Sequence, residues 1–141
     1  MDGLERFVKA QEHDYGYALQ EIKNGHKRSH WMWYIFPQLK GLGRSETATY
    51  YGIENRAEAA AYLAHPVLGS RLLEICGELL KLDTSDAHAV FGRPDDLKLK
   101  SSMTLFYLVS GNPVFKAVLD KYFDGEMDAL TISLENRDGD R

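Results

Sequence analysis

The scarcities of this chain narrow its class before any motif does. Its single cysteine, Cys76, excludes an internal disulfide and suits a reducing compartment. Cys76 lies in the apolar run from Leu72 to Leu80, where a buried, inert thiol is expected rather than a nucleophile. No Cys-x-x-Cys pair occurs, and neither a metal nor a cofactor is expected. No stretch approaches the roughly 18 consecutive apolar residues of a membrane span. The opening Met1-Asp2-Gly3-Leu4-Glu5 is acidic where a secretion signal would be basic. The expected setting is therefore cytoplasmic, with no membrane partner. A basic excess is also lacking: the formal net charge is −4, which disfavours nonspecific binding to nucleic acid. Strand-like alternation is nearly absent, and no repeat, low-complexity run or linker divides the chain.

Helical signals fill the space those absences leave. Leu4, Phe7, Val8 and Gln11, then Tyr15, Ala18, Leu19 and Ile22, recur at helical spacing before Gly25. Asn55 ahead of Arg56-Ala57-Glu58 reads as a cap opening a helix to about Ala64. His65-Pro66 and Asn112-Pro113 read as caps followed by proline in the first turn, where its missing N–H costs nothing. Leu68, Leu72, Ile75, Cys76 and Leu79 form one apolar stripe, and Val114, Phe115, Val118, Leu119 and Tyr122 form another. Asp83–Phe91 reads as a short helix closed by Gly92, and Pro94 starts a longer one reaching Gly111. The runs Trp31–Phe36 and Met103–Val109 are continuously apolar, so periodicity alone cannot assign them. With 141 residues, 44% of them hydrophobic, the chain can bury one real core. The expected fold is all-α, a compact single domain of about eight to ten short helices over residues 1–134, with 135–141 a frayed acidic tail.

The stretch SHWMWYIFPQL, residues 29–39, stands apart. It holds both tryptophans, with His30 at its head and Lys27 and Arg28 just before it. Residues 21–44 carry Lys23, Lys27, Arg28, Lys40 and Arg44 against Glu21 alone, which favours an anionic ligand. Ser29 reads as a helix N-cap that would turn backbone N–H groups toward such an anion. Trp31 or Trp33 would offer a ring for stacking. Further along, Gly41, Gly43, Arg44 and Ser45 make a glycine turn with only a faint likeness to a phosphate loop. Asp96, Lys98, Ser101, Ser102 and Thr104 place polar groups in an apolar helix, with Lys98 and Ser102 on one face. A lysine beside a serine can activate it for nucleophilic attack, but hydroxyls back-bonding to carbonyls, with Lys98 paired to Asp95, is the simpler reading.

Four segments carry a family resemblance: KRSHWMWYIFPQLKGLGRS at 27–45, EAAAYLAHPVLGSRL at 58–72, FGRPDDLKLKSSMTLF at 91–106 and YFDGEMDALT at 122–131. In order and spacing the chain resembles the family called domain of unknown function 1810 along essentially its whole length. The resemblance implies a compact, mainly helical domain, and no established activity, substrate or catalytic residue. Some relatives carry the label calpastatin, a calpain inhibitor. Such inhibitory segments are disordered until bound, whereas a chain this aromatic can fold alone, so inhibition of that kind is not expected.

The expected function is binding of, or catalysis on, an anionic small molecule with a planar ring, such as a nucleotide or an ADP-ribose-like compound. Its ligand residues would be Lys27, Ser29, His30, Trp31, Trp33, Gln38, Arg44, Ser45, Lys98 and Ser102. If a reaction occurs, His30, Asp96, Lys98 and Ser102 are the groups to test. The alternative is an interaction module whose aromatic and basic residues grip an acidic partner segment. Nothing in the sequence sets an oligomeric state.

Overall fold

Short polar side chains set where the helices begin. Ser45, Asn55 and Asp86 each accept a hydrogen bond from the N–H three residues ahead, at 3.1, 2.9 and 3.2 Å. Asn112 Oδ1 accepts from Val114 at 3.0 Å, with Pro113 in the first turn. His65 Nδ1 accepts from the N–H groups of Val67 and Leu68. The computed structural model describes residues 3–139, and side chains as far as 136. Among these the elements are α1 (Glu5–Lys23), α2 (Met32–Ile35), α3 (Glu46–Tyr51), α4 (Arg56–Ala64), α5 (Leu68–Lys81), α6 (Ala87–Phe91), α7 (Asp95–Ser110), α8 (Pro113–Phe123) and α9 (Ala129–Gly139). The fold is all-α, as expected, with nine helices and no strand among the described residues.

Helix α7 is the central element, packed against α4, α6, α8 and α9. Leu99 and every residue from Ser101 to Phe106 are buried. A helix covered on all sides has no polar stripe, which is why the run 103–109 carries no readable period. Each large apolar side chain buried there contributes about 1.5–3 kcal/mol. Helix α5 packs on α1, α4 and α8, and its buried Cys76 has Sγ 3.7 Å from Met103 Sδ of α7. Burial pushes the Cys76 thiol well up, as an inert thiol requires.

The aromatic stretch resolves into two parts. Trp31–Phe36 contains the single turn α2, and residues 38–40 then run beside Ile53, joined by Lys40 N–H to Ile53 O at 2.9 Å and Ile53 N–H to Gln38 O at 2.9 Å. The tail expected from Glu135 begins instead inside a helix. α9 continues to Gly139, and Glu135 is buried with Oε1 2.9 Å from Arg56 Nη1. The Arg56 cation of α4 meets that turn. The rest of that expectation, at 140–141 and the side chains after 136, lies outside the described residues.

Candidate functional site

The residues around the aromatic stretch form two different settings, a closed collar and an open cleft. The collar closes on Glu21, near the end of α1. Its carboxylate accepts from the backbone N–H groups of Arg28 (2.7 Å) and Ser29 (2.9 Å), from Ser29 Oγ (2.6 Å) and from Trp31 Nε1 (2.9 Å). Burial pushes the Glu21 carboxyl up, but these donors outweigh it and hold the pKa down to about 2. The anion that the sequence expects at this N–H cluster is thus supplied by the chain itself. Ser29 does not cap a helix: α2 starts at Met32 with Trp31 before it and no side-chain cap, and Ser29 is spent on Glu21. Trp31 is fully buried. Lys27 turns inward as well, its side chain 7% exposed and its Nζ 2.8 Å from Asp95 Oδ2 and 5.1 Å from the Trp31 ring centre.

Asp95 sits in the first turn of α7 and is shared by two cations. Lys27 takes the close contact, and Lys98 Nζ is left at 3.6 Å from Asp95 Oδ1 and 4.8 Å over the ring of Trp33. Two lysines on one carboxylate leave a net positive charge at Lys98, which faces a cleft of about 330 Å³. One wall is α7, with Leu97, Lys98 and Ser101. Another is the connection between α2 and α3, with Gln38, Leu42 and Gly43. The third is the start of α9, with Asp128 and Leu130. Gln38 and Lys98 also border a narrower recess with Trp33, Phe36 and Tyr51. Asp128 is fixed in place: its Oδ2 accepts from Thr131 N–H (2.9 Å) and Thr131 Oγ1 (2.5 Å), and its own N–H donates to Thr104 Oγ1 (2.9 Å).

The glycine turn shapes the second wall. Gly41 has φ +102°, a conformation L side chains rarely adopt, and a Cβ on Gly43 would meet Ala48 Cβ at 2.6 Å. The loop before α3 can therefore lie close against that helix only with glycine at 43. Ser45 caps α3, and Arg44 is exposed beside Gly43.

Of the groups proposed for chemistry, His30, Asp96, Lys98 and Ser102, only Lys98 lines the cleft. His30 is exposed, its carbonyl accepting from the Tyr34 hydroxyl at 3.2 Å. Asp96 Oδ1 accepts from Leu97 N–H at 2.9 Å, and its Oδ2 is 3.6 Å from His88 Nδ1. Ser102 Oγ is fully buried without a hydrogen-bond partner, so the lysine–serine pairing suggested by their spacing does not form. Ser101 back-bonds to Leu97 O at 3.2 Å. His26 and His30 have the four-residue spacing of a helical metal pair, but the segment between them is not helical, and no group of three metal-ligating side chains occurs among the described residues. No helix among them is long and apolar enough to cross a membrane.

Sequence reasoning missed Asp128, Leu130, Leu97 and Leu42. Asp128-x-x-Thr131 is a readable capping pattern, but its place in the cleft with Lys98 depends on how α9 packs onto α7, which no local signal gives.

Comparison with known proteins places the chain. The crystal structure of the conserved hypothetical protein Rv1873 from Mycobacterium tuberculosis matches with a TM-score of 0.92 and 47% identity, covering 94% of this chain and 96% of that one. No curated protein matches it. A family model described as a protein of unknown function, DUF1810, matches residues 1–134, so the chain belongs to that family.

Proposed function

We propose that the cleft beside Lys98 binds a small cytoplasmic molecule carrying an anionic group and a planar ring. The observation that carries this reading is the meeting of Gln38 and Lys98, from distant parts of the chain, on one cleft where Lys98 is held by a long contact to a shared carboxylate and by the face of Trp33. Lys98 meets the negative group, and the Gln38 amide supplies a directed hydrogen bond. Leu42, Leu97 and Leu130 give the ring an apolar wall. At about 330 Å³ the cleft lies at the low end of small-molecule sites, roughly 300–1,000 Å³, which favours one ring and one charged group over a whole dinucleotide. Lys98 covers the Trp33 face in the structure, so an anion that draws the ammonium away would bare that indole and change its fluorescence. The free, buried Cys76 supports the cytoplasmic setting.

The test is a thermal-shift screen with adenosine monophosphate, phenyl phosphate and aromatic monocarboxylates at millimolar concentration. A ligand present at 100 times its Kd adds about 2.7 kcal/mol and raises the melting point by several degrees. The shift should vanish in Lys98→Met. No shift with any of these probes would overturn the reading. A second reading, an interaction module gripping an acidic partner segment, draws on Leu97 and Leu130, which are 46% and 55% exposed at the cleft mouth. It predicts that Leu97→Ser abolishes capture of an acidic peptide while small molecules leave the melting point unmoved.

A further inference from the structure

The cleft has a second pole. Asp128 stands on the wall contributed by the start of α9, while Lys98 and Gln38 stand on the others. Both bonds that fix the Asp128 carboxylate fall on Oδ2, leaving Oδ1 outside that pair, and the Asp128 N–H is held by Thr104 of α7. The carboxylate is therefore a preset part of the cleft and cannot swing out of the way of a ligand. A purely anionic ligand would take water from Asp128 and give it no counter-charge, and a doubly charged phosphate would add direct repulsion. A ligand with a cation opposite its anion meets both poles at once.

We infer that the ligand is a zwitterion of the α-amino-acid type with an aromatic side chain. Its carboxylate lies at Lys98 and Gln38, its ammonium at Asp128, and its ring against Leu97, Leu130 and Leu42. This inference rests on the proposed small-molecule reading and narrows it. The ammonium donates to Asp128, the Gln38 amide donates to the carboxylate, and the exposed leucines of the cleft mouth lose their water to the ring.

The experiment compares L-phenylalanine with 3-phenylpropionate, which keeps the ring and carboxylate but lacks the amine, by titration calorimetry on the full chain. L-Phenylalanine should bind about tenfold tighter. In Asp128→Asn, which keeps an oxygen to cap α9, the preference should fall to near parity, and in Lys98→Met both ligands should weaken. Equal or tighter binding of 3-phenylpropionate by the unaltered protein would overturn the zwitterion and leave the anion-binding reading standing. If neither compound binds while phenyl phosphate does, the zwitterion is again overturned and the broader reading survives. If no anionic ring compound binds at all, both fall together.

Discussion

The collar around Glu21 and the cleft beside Lys98 each bring polar donors and a carboxylate together, yet they differ in what their polar groups have left to do. In the collar, two backbone N–H groups, a serine hydroxyl and an indole N–H all end on one carboxylate, and Lys27 ends on Asp95. In the cleft, Lys98 is held at 3.6 Å by a carboxylate already engaged, and Asp128, the residue before α9, lines the same cleft. The difference teaches that a dense set of donors marks a ligand site only where the fold has not filled it from within. The most site-like stretch of the sequence is the part whose donors are already consumed.

The comparison breaks most sharply at Glu21. Glu21→Ala strands the part-buried Trp31 indole N–H and leaves the exposed Arg28 and Ser29 N–H groups to water, and should cost about 1.5–3 kcal/mol. The measurement is a lower urea midpoint with an unchanged slope. The same carboxylate has a pH signature. Its folded pKa lies below its ordinary 4.5, so its stabilising contribution is present above that value and is lost as the pH falls through it toward about 2. Glu21→Gln should remove that part of the acid sensitivity, read as urea midpoints against pH. An unaltered profile would mean the collar is looser than its four hydrogen bonds indicate.

The two lysines on Asp95 give the next contrast. Lys27→Met leaves a largely buried carboxylate without its close partner and should cost about 1–3 kcal/mol. Lys98→Met loses a long ion pair and one contact with an aromatic ring, worth about 1 kcal/mol or less, yet it should abolish ligand-induced stabilisation. Chemical denaturation of both variants, with and without L-phenylalanine, separates the roles. The smallest effect is at Ser102. Removing a buried hydroxyl that has no partner, Ser102→Ala, should leave stability unchanged or raise it by about 0.5–1 kcal/mol in the same denaturation series. A loss above about 1 kcal/mol would show that the hydroxyl is engaged after all.

Much of the helical frame was legible because it is written locally. Asn55 and Asn112 cap the helices that their sequence patterns announce, and the stripe of α5 faces the core as its period requires. The central part of α7 hid from periodicity because burial on every side removes the polar face that makes a period visible. Ser29 misled for a related reason. Its side chain had a partner eight residues upstream, and no local rule says that Glu21 would fold back under it. The tail misled because its acidic composition reads as solvated, whereas Arg56 of α4 receives Glu135 across the chain. Gln38 and Lys98 were named from sequence among the ligand residues of one site, but the presence of Asp128 in their cleft is a product of tertiary packing.

The most direct measurement is a two-dimensional 1H–15N NMR titration with L-phenylalanine and, separately, with phenyl phosphate. The account predicts that at least one of them shifts the Gln38 side-chain amide and the backbone signals of Gly43, Lys98 and Ser101. The signals of Arg28, Ser29 and the Trp31 indole should stay in place. Shifts centred on residues 28–31, or none anywhere, would contradict it.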